Sequence, residues 1–370
     1  MSDYPFIPVA RPCVGDDEVA AVAEVVRSGQ YVSGRRVKEF EASFAQYVGV
    51  DHAVAVSTGT AALYIVLEAL GVGRGDEVIV PPMTFFATVS SVLYVGATPV
   101  FADIDPTDLC LSPESVAERI TDRTKAILPV HLFGAAARMD AFTELANRHG
   151  LLLIEDCAQA HGTQYKGRIV GGIGDAGAFS FFATKHMTTG EGGIITTNNG
   201  EVAEVCRVIR NHGMTDRDTH VRLGYNNRMT ELQAALGLVQ LKRLDELNEK
   251  RIANSRALVR HVQTLPWAIV PIPGEDVRHT FFWCPVMVSP ESGRTVDDLK
   301  NHLNANGIGF RHRYAEPLYR QPALVQYGLD YSKVHLENVE RLAGQVVGLP
   351  NHPGLTKVEL DRICEVLEAF

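Results

Sequence analysis

Little in this chain marks a secreted, membrane-bound, metal-holding or nucleic-acid-binding protein. Its six cysteines (Cys13, Cys110, Cys157, Cys206, Cys284 and Cys364) show no CxxC spacing. That argues against a zinc ribbon or a disulfide framework and for reduced thiols. The thirteen histidines form no HExxH or paired ligand pattern, so no metal is expected. Positive charge is scarce. Lys and Arg total 35 against 44 Asp and Glu, a net charge of −9, and such a chain is not built to hold the phosphate backbone of nucleic acid. No apolar run approaches the roughly 20 residues of a membrane span. The opening MSDYPFIPVARP has no charged-then-apolar leader. A cytoplasmic protein is expected.

What the chain does contain is ordinary globular material in quantity. Its 370 residues, 46% hydrophobic and 21% charged, suggest two or three domains with ample core. Helical patterns over 16–27 and 37–49 flank the turn-rich SGQYVSGR at 28–35. The glycines and hydroxyls of that loop, with Tyr31 among them, suit either a substrate mouth or a plain connector. Short apolar strands (HAVAVS, EVIVPP, TPVFADID, KAILPVHLFG, LLLIEDCAQA) then alternate with helices. This pattern predicts an α/β fold, a mostly parallel sheet sandwiched by helices. Ligands on such sheets gather at the carboxyl ends of the strands.

Four strand ends carry candidate chemistry. Ser57-Thr58-Gly59-Thr60 runs straight into a helix and offers an anion cradle or an ordinary cap. Phe85 follows the second strand and suits ring stacking or core packing. Asp156 comes after the apolar run Leu151–Ile154, where a carboxylate needs a partner: a pyridinium nitrogen, or a cap or ion pair. In SFFATKHMTTGEGG, Lys185 sits between an apolar strand and a glycine-rich turn. Either it snorkels to water, or burial lowers its pKa and leaves a neutral amine that condenses with an aldehyde. Gly172, Gly174 and Gly177 spell GxGxxG, but a strand-like AFSFF follows instead of a helix. We read it as a turn, not a dinucleotide site.

Taken together, STGTAAL, PPMTFFAT, PVHLFG, EDCAQAHG, SFFATKHMTTGEGG and GYNNRMTELQAALG resemble, in order, the DegT/StrS-type sugar aminotransferases, fold-type I enzymes that use pyridoxal 5'-phosphate. The likeness is strongest between residues 50 and 240. It implies that Lys185 forms the Schiff base and that Asp156 pairs with the pyridine nitrogen. By the same resemblance Gln159 lies by the ring hydroxyl, Phe85 stacks on the ring, and Gly59, Thr60 and Ser180 hold the phosphate. The asparagine matching Asn226 reaches the phosphate of the neighbouring subunit, which implies a homodimer with shared active sites. The implied reaction is ping-pong transfer from L-glutamate to a nucleotide-linked keto-deoxysugar.

We expect a large cofactor domain over 1–245 and a small C-terminal α+β domain over 246–370, joined by a long helix bearing Leu232, Leu236, Leu244 and Ile252. The small domain is expected to hold strands HTFFWCPVMV and GFRHRYAEP and two capped helices, Thr295 with Asp298 and Thr356 with Glu359. Where many relatives read His-Tyr-x-x-Pro-Leu-His, this chain has Arg313 and Tyr319 in place of both histidines. Each is therefore a candidate substrate contact or a structural residue. Some relatives are sugar dehydratases with histidine in place of the Schiff-base lysine. Here that place is Lys185, and His186, a structural neighbour or a substrate contact, follows it. Transfer to a cyclitol (inosose), or a non-catalytic regulatory protein on the same fold, are the alternatives.

Overall fold

Runs of Val, Ile, Leu and Ala only four or five residues long form the centre of the molecule. The structure is a computed structural model and describes residues 5–370. The main strands are β1 (His52–Val56), β2 (Glu77–Val80), β3 (Thr98–Phe101), β4 (Thr124–Ile127), β5 (Leu152–Asp156), β8 (Ala176–Ser180) and β9 (Gly193–Thr197). They make one sheet in the order β1-β9-β8-β5-β4-β2-β3. Pairing is parallel from β8 through β3, and β9 alone runs antiparallel to both its neighbours. Helices cover both faces, which is why strands such as β2 are buried along their whole length. The fold is the expected α/β arrangement of a mostly parallel sheet between helices, with a smaller α+β unit beside it.

That smaller unit is an antiparallel sheet of β10 (Ala268–Ile269), β12 (Cys284–Val288), β14 (Val346–Leu349) and β13 (Arg311–His312). A third, three-stranded sheet joins β6 (Gln164–Tyr165), β7 (Arg168–Ile169) and β11 (Val277–Arg278). Both capping boxes expected here form, at Thr295/Asp298 and Thr356/Glu359. The two strands read from sequence are shorter than expected. β12 starts only at Cys284 because Phe281 turns with φ 50°, and β13 stops at His312 because Tyr314 turns with φ 61°.

The helix Glu231–Val262 ties the two cores together. Thr230 and Gln233 form its capping box, and its 32 residues extend about 48 Å at 1.5 Å per residue. Leu241 and Leu244 pack into the core of the large sheet, while Ile252, Leu258, Val259 and Val262 pack into the core of the small one. Contacts cross residue 245 in both directions: Ile7 packs with the small sheet, whereas Leu318, Leu324, Leu336 and Val339 return to the large core.

The first residue of this helix also closes another. The buried Glu231 carboxylate accepts hydrogen bonds from the backbone N–H groups of Gly34 (2.8 Å), Arg36 (3.0 Å) and Val37 (3.0 Å). These are donors at the start of the helix Arg35–Val48, which has no side-chain cap of its own. Glu231→Ala leaves three donors unmatched and is expected to lower unfolding stability by about 2–4 kcal/mol. Denaturant titration against Glu231→Gln, which keeps an acceptor, checks this. Equal stability of Glu231→Ala and the parent would remove the capping role.

Candidate active site

β1, β5 and β8 end at the same edge of the sheet, and each delivers one part of a cavity of about 690 Å³. From the end of β5 comes Asp156, 4% exposed, with two hydrogen-bond donors on its carboxylate: Thr88 Oγ1 donates to Oδ2 at 2.9 Å and the Ala158 N–H donates to Oδ1 at 3.0 Å, while Thr84 Oγ1 lies 3.2 Å from Thr88 Oγ1. Burial pushes the Asp156 pKa up, opposed by those hydrogen bonds and by the charge of Lys185. The carboxylate has acceptor capacity to spare, in a place that favours a cationic partner.

From β8 comes Ser180, and from β1 the turn into the helix Gly59–Ala69. Thr58 caps this helix by accepting from Ala61 N at 3.0 Å, and the N–H groups of Gly59 and Thr60 have no partner among the described residues. A Cβ on Gly59 would stand 2.5 Å from Ser180 Cβ, so only glycine allows this approach. Two free N–H groups and a hydroxyl at a helix N-terminus make a fit for a phosphate.

Lys185 lies in the turn after Phe182, whose carbonyl accepts from its N–H at 3.0 Å. The residue is partly exposed because it faces the cavity. Its Nζ stands 4.6 Å from the centroid of the Phe282 ring. Loss of hydration lowers its pKa to about 8, and Asp156 opposes the shift. His186 faces away, 3% exposed, its ring 5.4 Å from that of His161 and 5.7 Å from Phe282. Burial keeps both imidazoles neutral, with His161 down to about 3.

Gln159 is fixed at both ends of its amide, accepting from Phe133 N at 3.1 Å and donating to Tyr314 Oη at 3.1 Å. Phe133 and Tyr314 both hold positive φ, 55° and 61°, a strained conformation concentrated at this one side chain. Trp283 stacks on Phe133 at 4.7 Å.

Of the residues singled out from sequence, Gly59, Thr60, Phe85, Asp156, Gln159, Ser180, Lys185 and Arg313 line the one cavity. Four do not. His186 is packed behind it. Tyr319 is 5% exposed, donates to Glu340 Oε1 at 2.7 Å and packs on Phe101, which makes it a structural residue. Tyr31 lies on an exposed loop, its hydroxyl donating to Val26 O at 3.1 Å, and Asn226 pairs with Asn211. Thr88, Trp283, Arg311 and Tyr314 were missed. Thr88 stands one helical turn after Thr84 in PPMTFFAT, a signal that was there to read.

The GxGxxG stretch has its own account. Glu155, fully buried, accepts from the N–H groups of Gly171, Ile173 and Gly174, each at 2.8 Å, and pairs with His131 Nε2 at 3.1 Å. A Cβ on Gly174 would meet Leu153 O at 2.4 Å, and one on Gly177 would meet Gly171 Cα at 2.5 Å. The glycines let a turn lie flat on β5, and the anion held by that turn is the chain's own carboxylate.

A lysine of lowered pKa, a buried carboxylate and a helix N-terminus around one cavity suit the chemistry of an aminotransferase, and comparison with known proteins gives the class. The chain belongs to the DegT/DnrJ/EryC1/StrS aminotransferase family, whose model matches residues 12–368. It is 40% identical over 375 residues to the GDP-perosamine synthase of Caulobacter vibrioides, covering 100% of this chain and 99% of that protein. It is 37% identical to the spore coat polysaccharide biosynthesis protein SpsC of Bacillus subtilis, over 98% of this chain and 96% of that one. Among solved structures, DesV of S. venezuelae in complex with a ketimine intermediate superposes with a TM-score of 0.92 at 36% identity, covering 99% and 98% of the two chains.

The lowered pKa makes a testable statement. In cofactor-free protein, reductive methylation of Lys185 is expected to rise with pH and level off with a midpoint at about 8, well below the ordinary 10.5, since only the neutral amine reacts. Peptide mapping by mass spectrometry follows the site. A midpoint near that of surface lysines would mean that Nζ is fully hydrated.

Proposed function

We propose that this enzyme uses pyridoxal 5'-phosphate, carried on Lys185, to move an amino group from L-glutamate to a nucleotide-linked keto-deoxysugar. The observation that carries the reading is that Lys185 and Asp156 face the same cavity, with the free N–H groups of Gly59 and Thr60 at its rim. The residues fit the cofactor on their own chemistry. Asp156 has spare acceptor capacity for a protonated ring nitrogen, Ser180 and the helix N-terminus suit a phosphate, Phe85 offers an exposed ring face, and Gln159 presents a fixed amide.

When bound, the cofactor supplies an electron sink for the carbanion that forms as the substrate loses a proton. Asp156 keeps the charge that makes the sink effective, and Thr88 and the Ala158 N–H keep Asp156 in place. Lys185 Nζ, whose lowered pKa of about 8 keeps a usable share of the amine neutral, takes the proton from the donor carbon and hands it back within the same site. Amino donor and sugar acceptor bind in turn, so the kinetics are ping-pong.

Arg313 is an exposed cation that lines the cavity, and a charge in that place suits an acceptor bearing a diphosphate better than an uncharged cyclitol. We also read the active unit as a cytoplasmic homodimer. Val26 at the end of the helix Asp16–Ser28, with Tyr31, Val32, Val221, Leu223 and Tyr225 on the loops around Tyr31 and Asn226, leaves apolar surface exposed, Leu223 by 90%. Such a surface suits a second copy of the chain.

The test is an absorbance titration of the cofactor in purified enzyme: L-glutamate is expected to convert it to the aminated form, and one nucleotide keto-sugar from a panel to restore it. Lys185→Ala should slow the transfer by at least about 10³-fold. Asp156→Asn should bind cofactor yet slow each half-reaction by about 10²-fold or more. Stopped-flow half-reactions measure both. Full rates in either variant would remove that residue from the mechanism.

A further inference from the structure

A second, narrow cavity lies against the wall that carries Lys185. It measures about 20 Å³, room for one water-sized group or one carboxylate. Lys185, Thr184, Phe282, Trp283 and Arg311 line both cavities. Three arginines reach the narrow one from distant parts of the chain: Arg11 near the N-terminus, Arg251 within the helix Glu231–Val262 and Arg311 on β13. No carboxylate is among its lining residues.

Arg251 is the telling member. It is 7% exposed, its Nε is buried with no hydrogen-bond partner, and it makes no ion pair among the described residues. Burial brings its pKa down to about 10. Arg11 does have a carboxylate, Glu359 at 3.8 Å, but Glu359 lies outside the cavity. His352, also a lining residue, is held neutral by burial and by the neighbouring Arg11 and Arg251, its pKa falling to about 4. A buried guanidinium without a counter-charge is expensive to keep, and several cations converging on an empty space are more so. Such a site is completed by an anion.

We propose that the narrow cavity is the subsite for the distal carboxylate of a dicarboxylic amino donor, with Arg251 as its anchor and Arg311 beside it. This rests on the reading above that an amino acid is the donor. Donor and sugar must each present their reacting carbon to Lys185, although they share no shape. The wide cavity, with Phe85 and Arg313, takes the bulky acceptor. The narrow one takes a group that only the donor has. A carboxylate there gains charge-assisted hydrogen bonds from a planar fork of donors, while an amide or methyl end leaves the buried charge unmatched.

The experiment compares L-glutamate, L-glutamine and L-alanine in the first half-reaction of the cofactor-loaded enzyme, followed by absorbance. Glutamate is expected to be preferred over glutamine by about 10²-fold in kcat/KM, the effect of one unmatched buried charge. In Arg251→Met the half-saturating glutamate concentration should rise about 10- to 100-fold with little loss of limiting rate, and the preference over glutamine should collapse, while Arg251→Lys keeps part of it. Inorganic sulfate should compete with glutamate in the parent enzyme. Glutamate and glutamine reacting alike in the parent enzyme would overturn the proposal, and this comparison needs no variant to fold. So would an equal loss on both donors in Arg251→Met, which marks a structural role, or sulfate that stabilises the protein against heat without competing with glutamate, which marks a site for a free anion. If no amino acid converts the cofactor, the donor reading itself fails.

Discussion

A carboxylate and an amine line one cavity, and much of the molecule is arranged to keep both there without letting them neutralise each other's purpose. Asp156 is held by Thr88 and the Ala158 N–H, so its position does not depend on Lys185. Lys185 is held by a turn whose strand, β8, pairs with β5, the strand that carries Asp156. The pKa of the amine falls because water is excluded, and the carboxylate limits that fall. A stronger pair would leave the lysine protonated and inert; a weaker one would leave the aspartate unable to hold charge in that environment.

The large sheet was legible because its strands are continuous apolar runs, and the strand ends picked out Gly59, Thr60, Asp156 and Lys185, while the family resemblance added Ser180; all five line the cavity. Asp156 stood out as the acid that ends an apolar run. Its neighbour Glu155 looked equivalent in sequence and has another role, since the alternation of side chains along β5 sends one carboxylate to the cavity and the other to the 171–174 turn. Strand length in the small sheet was overestimated because nothing in the composition of FFW or RHRY announces a positive φ. Phe281 and Tyr314 adopt it for the sake of stacking on Phe133, Trp283 and His279, a tertiary demand.

Tyr319 and Arg313 mark the limit of reading by motif. Both replace a histidine of the resembling family, six positions apart, yet Arg313 faces the cavity and Tyr319 is packed on Phe101 and bonded to Glu340. Arg251 shows the opposite failure. In sequence it is one more charge on a long helix, of the type normally found solvated. Only burial without a partner separates it from Arg243, which meets Glu18, or Arg256 on the same helix.

The helix Glu231–Val262 behaves as a fixed gauge between two remote settings. Its first residue fastens the start of the helix Arg35–Val48, and Arg251, further along, faces the narrow cavity. One residue added or removed between them would rotate the far end by about 100° and shift it about 1.5 Å, undoing one setting or the other. Length is therefore constrained in this segment: a side chain such as Arg251 can be exchanged in place, but an insertion or deletion ahead of it would move the whole far half of the helix.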